Sequence, residues 1–145
     1  MIAILNIAAC GGASSKKWEK IKLKLFPKND FRIIRIMCNE IFSDIIKSAL
    51  KRGEANFIAA GGDGTINNLL NLLIDSTDAS QIDNLTIGAI GLGSSNDFHK
   101  PFNNIIDGIP YAINFNDTQM RDVGYIDFFK NGETCRKHFL INASL

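Results

Sequence analysis

Three apolar runs, each followed closely by glycine, constrain the fold of this chain more than any other feature. They cover residues 2–9, 55–60 and 85–90, and each contains a single polar side chain. Strands of this kind are typical of the centre of a parallel sheet, where both faces are covered. Residues with helical spacing separate the runs, so the chain predicts strands and helices in alternation.

The remaining segments fit this alternation. Three of them have apolar residues at helical spacing, namely 14–25 with Ser14 or Ser15 as its cap, 40–52 capped by Asn39, and 66–74. Residues 31–37 predict a further strand, 76–84 a polar loop, and 103–114 a helix that Gly108 and Pro110 interrupt. The resulting β-α-β-α-β-α-β order is the signature of an α/β fold with a mainly parallel, doubly wound sheet.

The pattern changes towards the end of the chain. Residues 119–130 and 137–143 are strand-like and are joined by Asn131-Gly132, which is a strong hairpin signal. We therefore expect an α/β domain over residues 1–118, followed by a hairpin over residues 119–145. The hairpin would be either the start of a truncated second domain or the edge of the first.

Charge and cysteine content exclude several classes of protein. A net charge of +1 gives no support for nucleic-acid binding. The three cysteines are far apart without a Cys-x-x-Cys spacing, so neither a zinc site nor a disulfide framework is expected. This cysteine usage favours a reducing, cytoplasmic compartment. The apolar start of the chain is much too short to span a bilayer.

The strongest chemical signal is the turn Gly61-Gly62-Asp63-Gly64-Thr65 between a buried strand and a helix. Free amides and the helix dipole favour an anion at such a helix N-terminus, and glycines let the backbone approach it. A carboxylate there repels phosphate unless a cation intervenes. Asp63 therefore predicts a bound metal or a proton to be moved. A plain βα turn is the alternative, although a carboxylate flanked by glycines is unusual in one.

A second loop, residues 91–97, follows the next strand. Ligands of open α/β sheets bind above the carboxyl ends of the strands, so we expect the two loops to meet. Ser94 and Ser95 offer hydroxyls and amides, and Asn96-Asp97 offers an amide and a second carboxylate. The loops together predict a nucleotide triphosphate site with Mg²⁺ at Asp97 and phosphoryl transfer as the reaction. An ordinary loop with Asp97 as a helix cap stays open, and His99 beside it is expected at the surface.

Neither common nucleotide fingerprint fits these loops. No lysine follows the glycines as the Walker pattern requires, and the dinucleotide fingerprint would need its glycine turn after the first strand. A basic cluster does occur early in the chain, at Lys16, Lys17, Lys20, Lys22, Lys24 and Lys28. Its spacing favours the solvated face of a helix, with contact to an anionic membrane or to nucleotide phosphates as the alternative.

The motifs resemble those of the diacylglycerol kinase catalytic-domain family, which is related to sphingosine, ceramide and NAD kinases. Residues 61–67 look like its nucleotide motif, and residues 93–98 are similar to its Gly-Thr-Gly-Asn-Asp-Phe loop. Residues 122–124 and 139–144 stand where that family has an Asp-Leu-Gly and a Phe-x-x-Asn-x-x-Ser segment. The resemblance implies ATP as donor, Mg²⁺ as cofactor and a lipid hydroxyl as acceptor. It thus implies a nucleotide-binding domain that works peripherally at a membrane surface.

The resemblance also implies roles for individual residues. Asp63 would be the catalytic base or a metal-linked carboxylate, and we expect Asp97 to hold the metal. The nucleotide would be bound by Gly61, Gly62, Gly64, Thr65, Asn67, Gly93, Ser94, Ser95, Asn96 and Asn6.

Several departures from the family pattern keep other functions open. Asn68 stands where a glutamate is usual, Ser95 replaces a glycine, and Lys100 replaces an arginine. The family's β-rich second domain would begin about where this chain ends, so we expect the nucleotide-binding half of a lipid kinase, inactive alone. The alternatives are a kinase with a soluble acceptor such as NAD, and a nucleotide-binding module without catalysis. An unpaired terminal strand would also allow a homodimer.

Overall fold

The computed structural model describes residues 1–27, 31–37 and 39–141, without the side chains of residues 39–41. Its strands are β1 (Ile2–Asn6), β2 (Arg32–Ile36), β3 (Asn56–Gly61), β4 (Thr86–Gly91), β5 (Ile105–Ile106), β6 (Ile109–Ala112), β7 (Gly124–Lys130) and β8 (Glu133–Phe139). Its α-helices are α1 (Ser14–Leu25), α2 (Asn39–Lys51), α3 (Asp63–Ser76) and α4 (Ala79–Ile82). Two short 3₁₀ turns lie at Ala9–Gly12 and Asp97–His99.

Six strands form one sheet in the order β2-β1-β3-β4-β6-β5. The first four are parallel, with Ile2 of β1 opposite Arg32 of β2 and Phe57 of β3. Strand β6 pairs with β4 in the antiparallel direction, and β5 extends the edge. The predicted mainly parallel sheet is therefore confirmed. Because the first four strands are parallel, the loops that follow them all lie at one edge of the sheet.

Helices cover both faces of the sheet. Successive residues of β1 enter different hydrophobic clusters, because side chains alternate along a strand. Ile2 and Ile4 belong to the cluster that contains Phe42 of α2 and Leu69 of α3. Ala3 and Leu5, in contrast, join Trp18 of α1. Burial on both faces explains why the central strands are apolar throughout.

The C-terminal strands form a separate two-stranded hairpin, β7-β8. Its turn residues Asn131 and Gly132 have φ angles of 53° and 88°, the left-handed geometry that an Asn-Gly turn supplies. The Asn71 side chain of α3 donates to the carbonyl of His138 at 2.8 Å and accepts from its N–H at 2.9 Å. The predicted hairpin is thus confirmed and is held against α3. Strand β7 is shorter than the predicted 119–130, β8 begins four residues before the predicted 137–143, and residues 142–145 lie outside the described part of the chain.

The helix predicted over residues 103–114 is wrong. The structure has the short hairpin β5-β6 there, with a turn at Asp107 and Gly108, whose φ angles are 50° and 78°. β-branched isoleucines favour extended backbone, and Pro110 cannot donate within a helix. The polar loop predicted over residues 76–84 likewise contains the short helix α4.

Several boundaries also differ from the sequence expectations. Helix α1 begins at Ser14, and the Ser14 hydroxyl donates to the Asn6 carbonyl at 2.8 Å, so neither serine caps the helix. Asn39 is already inside α2, and its side chain is among those not described. Strand β1 ends at Asn6, and α3 begins at Asp63. The glycine turn therefore supplies the first turn of α3.

Candidate functional site

Two glycine loops contact each other at the carboxyl edge of the sheet. The first glycine loop comprises residues 61–65 and the second comprises residues 91–97. A Cβ atom added to Gly93 would lie 2.5 Å from the Gly62 Cα, a distance that real side chains do not tolerate. Only glycine lets these two backbones pack together, so the predicted meeting of the loops is confirmed.

Asp63 ties the two loops together by hydrogen bonds. Its Oδ2 atom accepts from the backbone N–H of Asp97, and its Oδ1 atom accepts from that of Phe98, both at 3.0 Å. Asp63 is the first residue of α3 and is half-buried. Asp63, which the sequence predicts as the catalytic or metal-linked carboxylate, therefore also holds the two loops together.

The end of β1 is joined to the first glycine loop through Thr65. The Asn6 side chain donates from Nδ2 to the Thr65 Oγ1 at 3.0 Å, and its Oδ1 accepts from the Ala8 N–H at 3.0 Å. Thr65 is only 4% exposed. Its side chain lies against Gly61, where any Cβ would overlap it. Asn6 and Gly61 thus fix Thr65 at the base of the first loop.

Several backbone amides of the first glycine loop remain available to a ligand. The N–H groups of Thr65 and Ile66 donate to the Gly62 carbonyl. Within the described ranges, those of Gly62, Asp63 and Gly64 donate to no acceptor. They lie at the N-terminus of the 14-residue helix α3, where the helix dipole is positive. This arrangement favours an anion.

A pocket of about 410 Å³ opens between the two loops and the end of β1. Eight of the predicted site residues line it: Asn6, Gly62, Asp63, Gly64, Thr65, Gly93, Ser94 and Ser95. Three further residues also line it: Ala9, Cys10 and Asn68. Most of the predicted binding residues are therefore brought together on one cavity.

Three predicted binding residues and the predicted metal ligand do not line this pocket. Gly61 is buried, with its carbonyl accepting from Leu92. The Asn67 Oδ1 instead accepts from the Leu140 N–H at 3.4 Å, next to the hairpin. The Asn96 side chain accepts from the Gly93 N–H at 3.1 Å and shapes its own loop. Motif position alone does not reveal such side-chain directions.

The model of the diacylglycerol kinase catalytic domain matches residues 1–125 of the sequence. The chain belongs to the diacylglycerol kinase catalytic-domain family. The match covers both glycine loops and every predicted site residue. No curated protein matches the sequence. Membership of this family supports kinase activity for the chain, and kinases of this family generally use ATP.

Asp97 of this kinase domain forms an ion pair that the sequence did not reveal. Its Oδ1 atom lies 2.6 Å from the Lys100 Nζ, and this contact raises the pKa of Lys100. Both side chains are partly exposed, so the pair contributes little stability. No group of three or more metal-binding side chains occurs among residues 1–27, 31–37 and 39–141.

Lys17 is the functional candidate that the sequence did not single out. Its Nζ atom lies 3.1 Å from the Gly93 carbonyl oxygen, 3.3 Å from that of Leu92 and 3.6 Å from the Cys10 Sγ. For the basic cluster as a whole, the sequence favoured a solvated helix face and left contact with nucleotide phosphates as an alternative, without distinguishing Lys17 from its neighbours. One feature of the sequence could have distinguished Lys17 from the other lysines. It lies next to Trp18 and one turn after Ser14, and both of these residues are buried in α1.

His99 of the kinase domain is buried, so its predicted surface position is wrong. Neither ring nitrogen has a hydrogen-bond partner in the described part of the chain. Burial lowers the pKa of His99, and the negative charge of Asp63 partly opposes this shift. The ring packs edge-on against Phe98 at 5.4 Å between centroids. His99 therefore lies behind the second loop as a neutral packing residue.

None of the described helices has the length and apolar character needed to cross a bilayer.

Proposed function

We propose that this domain binds ATP between its two glycine loops and supports transfer of the γ-phosphoryl group to a lipid hydroxyl. The contact of Gly62 with Gly93, next to three amides that have no acceptor among the described residues, is the observation that carries the proposal. Neither residue of this contact carries a side chain, so a polyphosphate can lie directly against the backbone there. Family membership supports the kinase class, and the acceptor is the part that we infer.

The lining of the pocket fits a polyphosphate tail. The unpaired N–H groups of Gly62, Asp63 and Gly64 would donate to phosphate oxygens. The hydroxyls of Thr65, Ser94 and Ser95 add further donors on the same cavity. A volume of about 410 Å³ lies within the usual range for small-molecule sites. Binding in this position would orient the terminal phosphate for an in-line acceptor.

The carboxylates of the site fit a role beside Mg²⁺. Each Asp63 oxygen accepts one backbone hydrogen bond and keeps a further lone pair. Asp97 can be released from its exposed pair with Lys100 at little cost. Bound Mg²⁺ would neutralise charge on the transferred phosphoryl group. Because two amides hold the Asp63 carboxylate in place, we favour a positioning or metal-linked role for it over that of a mobile base.

The acceptor distinguishes the lipid proposal from its alternatives. The loop Asn96-Asp97-Phe98 resembles the lipid kinases more than it resembles enzymes with a soluble acceptor. A lipid acceptor places the domain peripherally at the cytoplasmic surface of a membrane. One observation favours a nucleotide-binding module without catalysis, because Asn68 lines the pocket where the family pattern has a glutamate. Pairing of two copies through the terminal strand is a further proposal, which size-exclusion chromatography would test.

A transfer assay on the full-length protein tests the proposed function. γ-Labelled ATP and Mg²⁺ are supplied with diacylglycerol micelles, with sphingosine micelles, or with NAD. Label transferred to a lipid supports the lipid kinase. Label on NAD alone supports the soluble-acceptor alternative, and ATP binding without transfer to any acceptor supports the non-catalytic module.

A further inference from the structure

We propose that Lys17 is the phosphate-binding cation of this site. It would supply from α1 the positive charge that a Walker lysine supplies from the glycine loop itself. The inference rests on the proposed nucleotide site and adds a residue that neither the glycine motifs nor the family match assigns.

The ammonium group of Lys17 has no acidic side chain among its hydrogen-bond partners in the described part of the chain. Its hydrogen bonds go to the backbone carbonyls of Leu92 and Gly93. Two other lysines of α1 are paired differently, since Lys22 contacts Glu19 and Lys24 contacts Asp107. Lys17 is half-buried, whereas its neighbour Lys16 is exposed. A half-buried, unneutralised cation beside a cavity attracts an anion more strongly than a solvated one does.

One donor of Lys17 is held only by a weak acceptor at the edge of the pocket. An ammonium group has three N–H donors, and the two carbonyls take two of them. The third faces the Cys10 Sγ at 3.6 Å, and a thiol is a weak acceptor. Cys10 and Gly93 both line the pocket, whereas Lys17 does not line it itself, so a ligand would reach the ammonium group past the Cys10 thiol. A phosphate oxygen would replace the thiol as a much stronger, charge-assisted acceptor.

The position of Lys17 is fixed by the packing of its helix. Trp18 and Ile21 are fully buried against the sheet, and the Ser14 hydroxyl bonds to the end of β1. These contacts hold the first turn of α1 over the second glycine loop. The cation is therefore preorganised, and binding would require little loss of side-chain freedom.

Titration calorimetry with tripolyphosphate, ATP and adenosine tests this role on four proteins: wild type, Lys17→Met, Lys17→Arg and the exposed control Lys16→Met. We expect Lys17→Met to weaken tripolyphosphate and ATP binding about tenfold, or roughly 1.4 kcal/mol. Lys17→Arg should retain most of the affinity, and Lys16→Met should match wild type. Adenosine binding should be the same in all four proteins. Equal tripolyphosphate affinity of Lys17→Met and wild type would overturn the inference.

A second measurement keeps the inference testable if Lys17→Met fails to fold. Wild-type protein is acetylated with and without saturating tripolyphosphate, and modification of Lys17 and Lys16 is compared by mass spectrometry. Selective protection of Lys17 supports the inference, and equal modification of Lys17 in both samples contradicts it. A wild-type chain that binds neither tripolyphosphate nor ATP would overturn the proposed function itself.

Discussion

The carboxylate of Asp63 accepts a hydrogen bond from the backbone N–H of Asp97 at 3.0 Å, which joins residues 34 positions apart in the chain. A second bond, from the Phe98 N–H, uses the other carboxylate oxygen. Together with the Gly62–Gly93 contact, these bonds make the two loops one unit. The same side chain would therefore serve both the architecture of the pocket and its chemistry.

Replacing Asp63 by asparagine should separate these two contributions. The asparagine oxygen can accept one backbone N–H, but its NH₂ group cannot accept the other. We expect a loss of about 1–3 kcal/mol in unfolding free energy, with the fold retained. Phosphoryl transfer by the full-length protein should fall about 10²-fold or more. Urea denaturation and the labelled-ATP assay measure the two effects.

The exposed residue Asp75, at the far end of α3, offers a matched control. Asp75→Asn should change unfolding free energy by less than about 0.5 kcal/mol and leave transfer unchanged. Normal turnover of Asp63→Asn would remove Asp63 from the mechanism.

Alanine in place of Gly93 should force the glycine loops apart, because its Cβ would overlap the Gly62 Cα. Overpacking of this kind costs about 1–3 kcal/mol, and we expect ATP affinity to fall with it. Gly64→Ala is the comparison, since a Cβ at Gly64 meets nothing within 4 Å. It should leave stability unchanged or raise it by up to about 1 kcal/mol. Thermal unfolding that ranks Gly93→Ala above Gly64→Ala would contradict this account of the loop contact.

Valine in place of Thr65 should weaken the link between β1 and the first glycine loop. It keeps the shape of the side chain but leaves the Asn6 amide without its acceptor. The expected cost is about 1–2 kcal/mol of unfolding free energy, measured by urea denaturation. Thr65→Ser keeps the hydroxyl and should keep more of the ATP affinity than Thr65→Val does. Equal affinity of the two variants would show that the hydroxyl is dispensable.

Burial of His99 predicts a dependence of stability on pH. Its folded-state pKa lies below the ordinary value of 6.5, so the unfolded chain binds the proton more readily. The contribution of neutral His99 is therefore fully present above pH 6.5 and is lost as the pH falls through its folded-state pKa. Melting curves between pH 7.5 and 5.5 should show this loss in wild type and a smaller one in His99→Phe. Parallel curves for the two proteins would contradict the assignment to His99.

Much of the fold could be predicted because its causes are local. The apolar runs at β1, β3 and β4 predict buried parallel strands, and Asn131-Gly132 predicts the hairpin turn. The meeting of the two glycine loops follows from parallel strands alone. Short isoleucine-rich segments such as 103–114 fit either helix or strand, and the β5-β6 hairpin there depends on pairing with β4.

Side-chain direction within the site could not be predicted in the same way. Asn67 and Asn96 occupy motif positions, yet their hydrogen bonds go to Leu140 and Gly93. The Lys17 ammonium group donates to the Gly93 carbonyl, although the two residues lie 76 positions apart in the chain. Such contacts depend on how α1 and α3 pack on the sheet, which local sequence patterns do not contain.

Calorimetric titration of the wild-type chain with ATP, with and without Mg²⁺, tests the central claim most directly. The account predicts saturable binding at one site that tightens when Mg²⁺ is present and weakens in Gly93→Ala. Absence of ATP binding under both conditions would contradict the assignment of the pocket between the glycine loops as a nucleotide site.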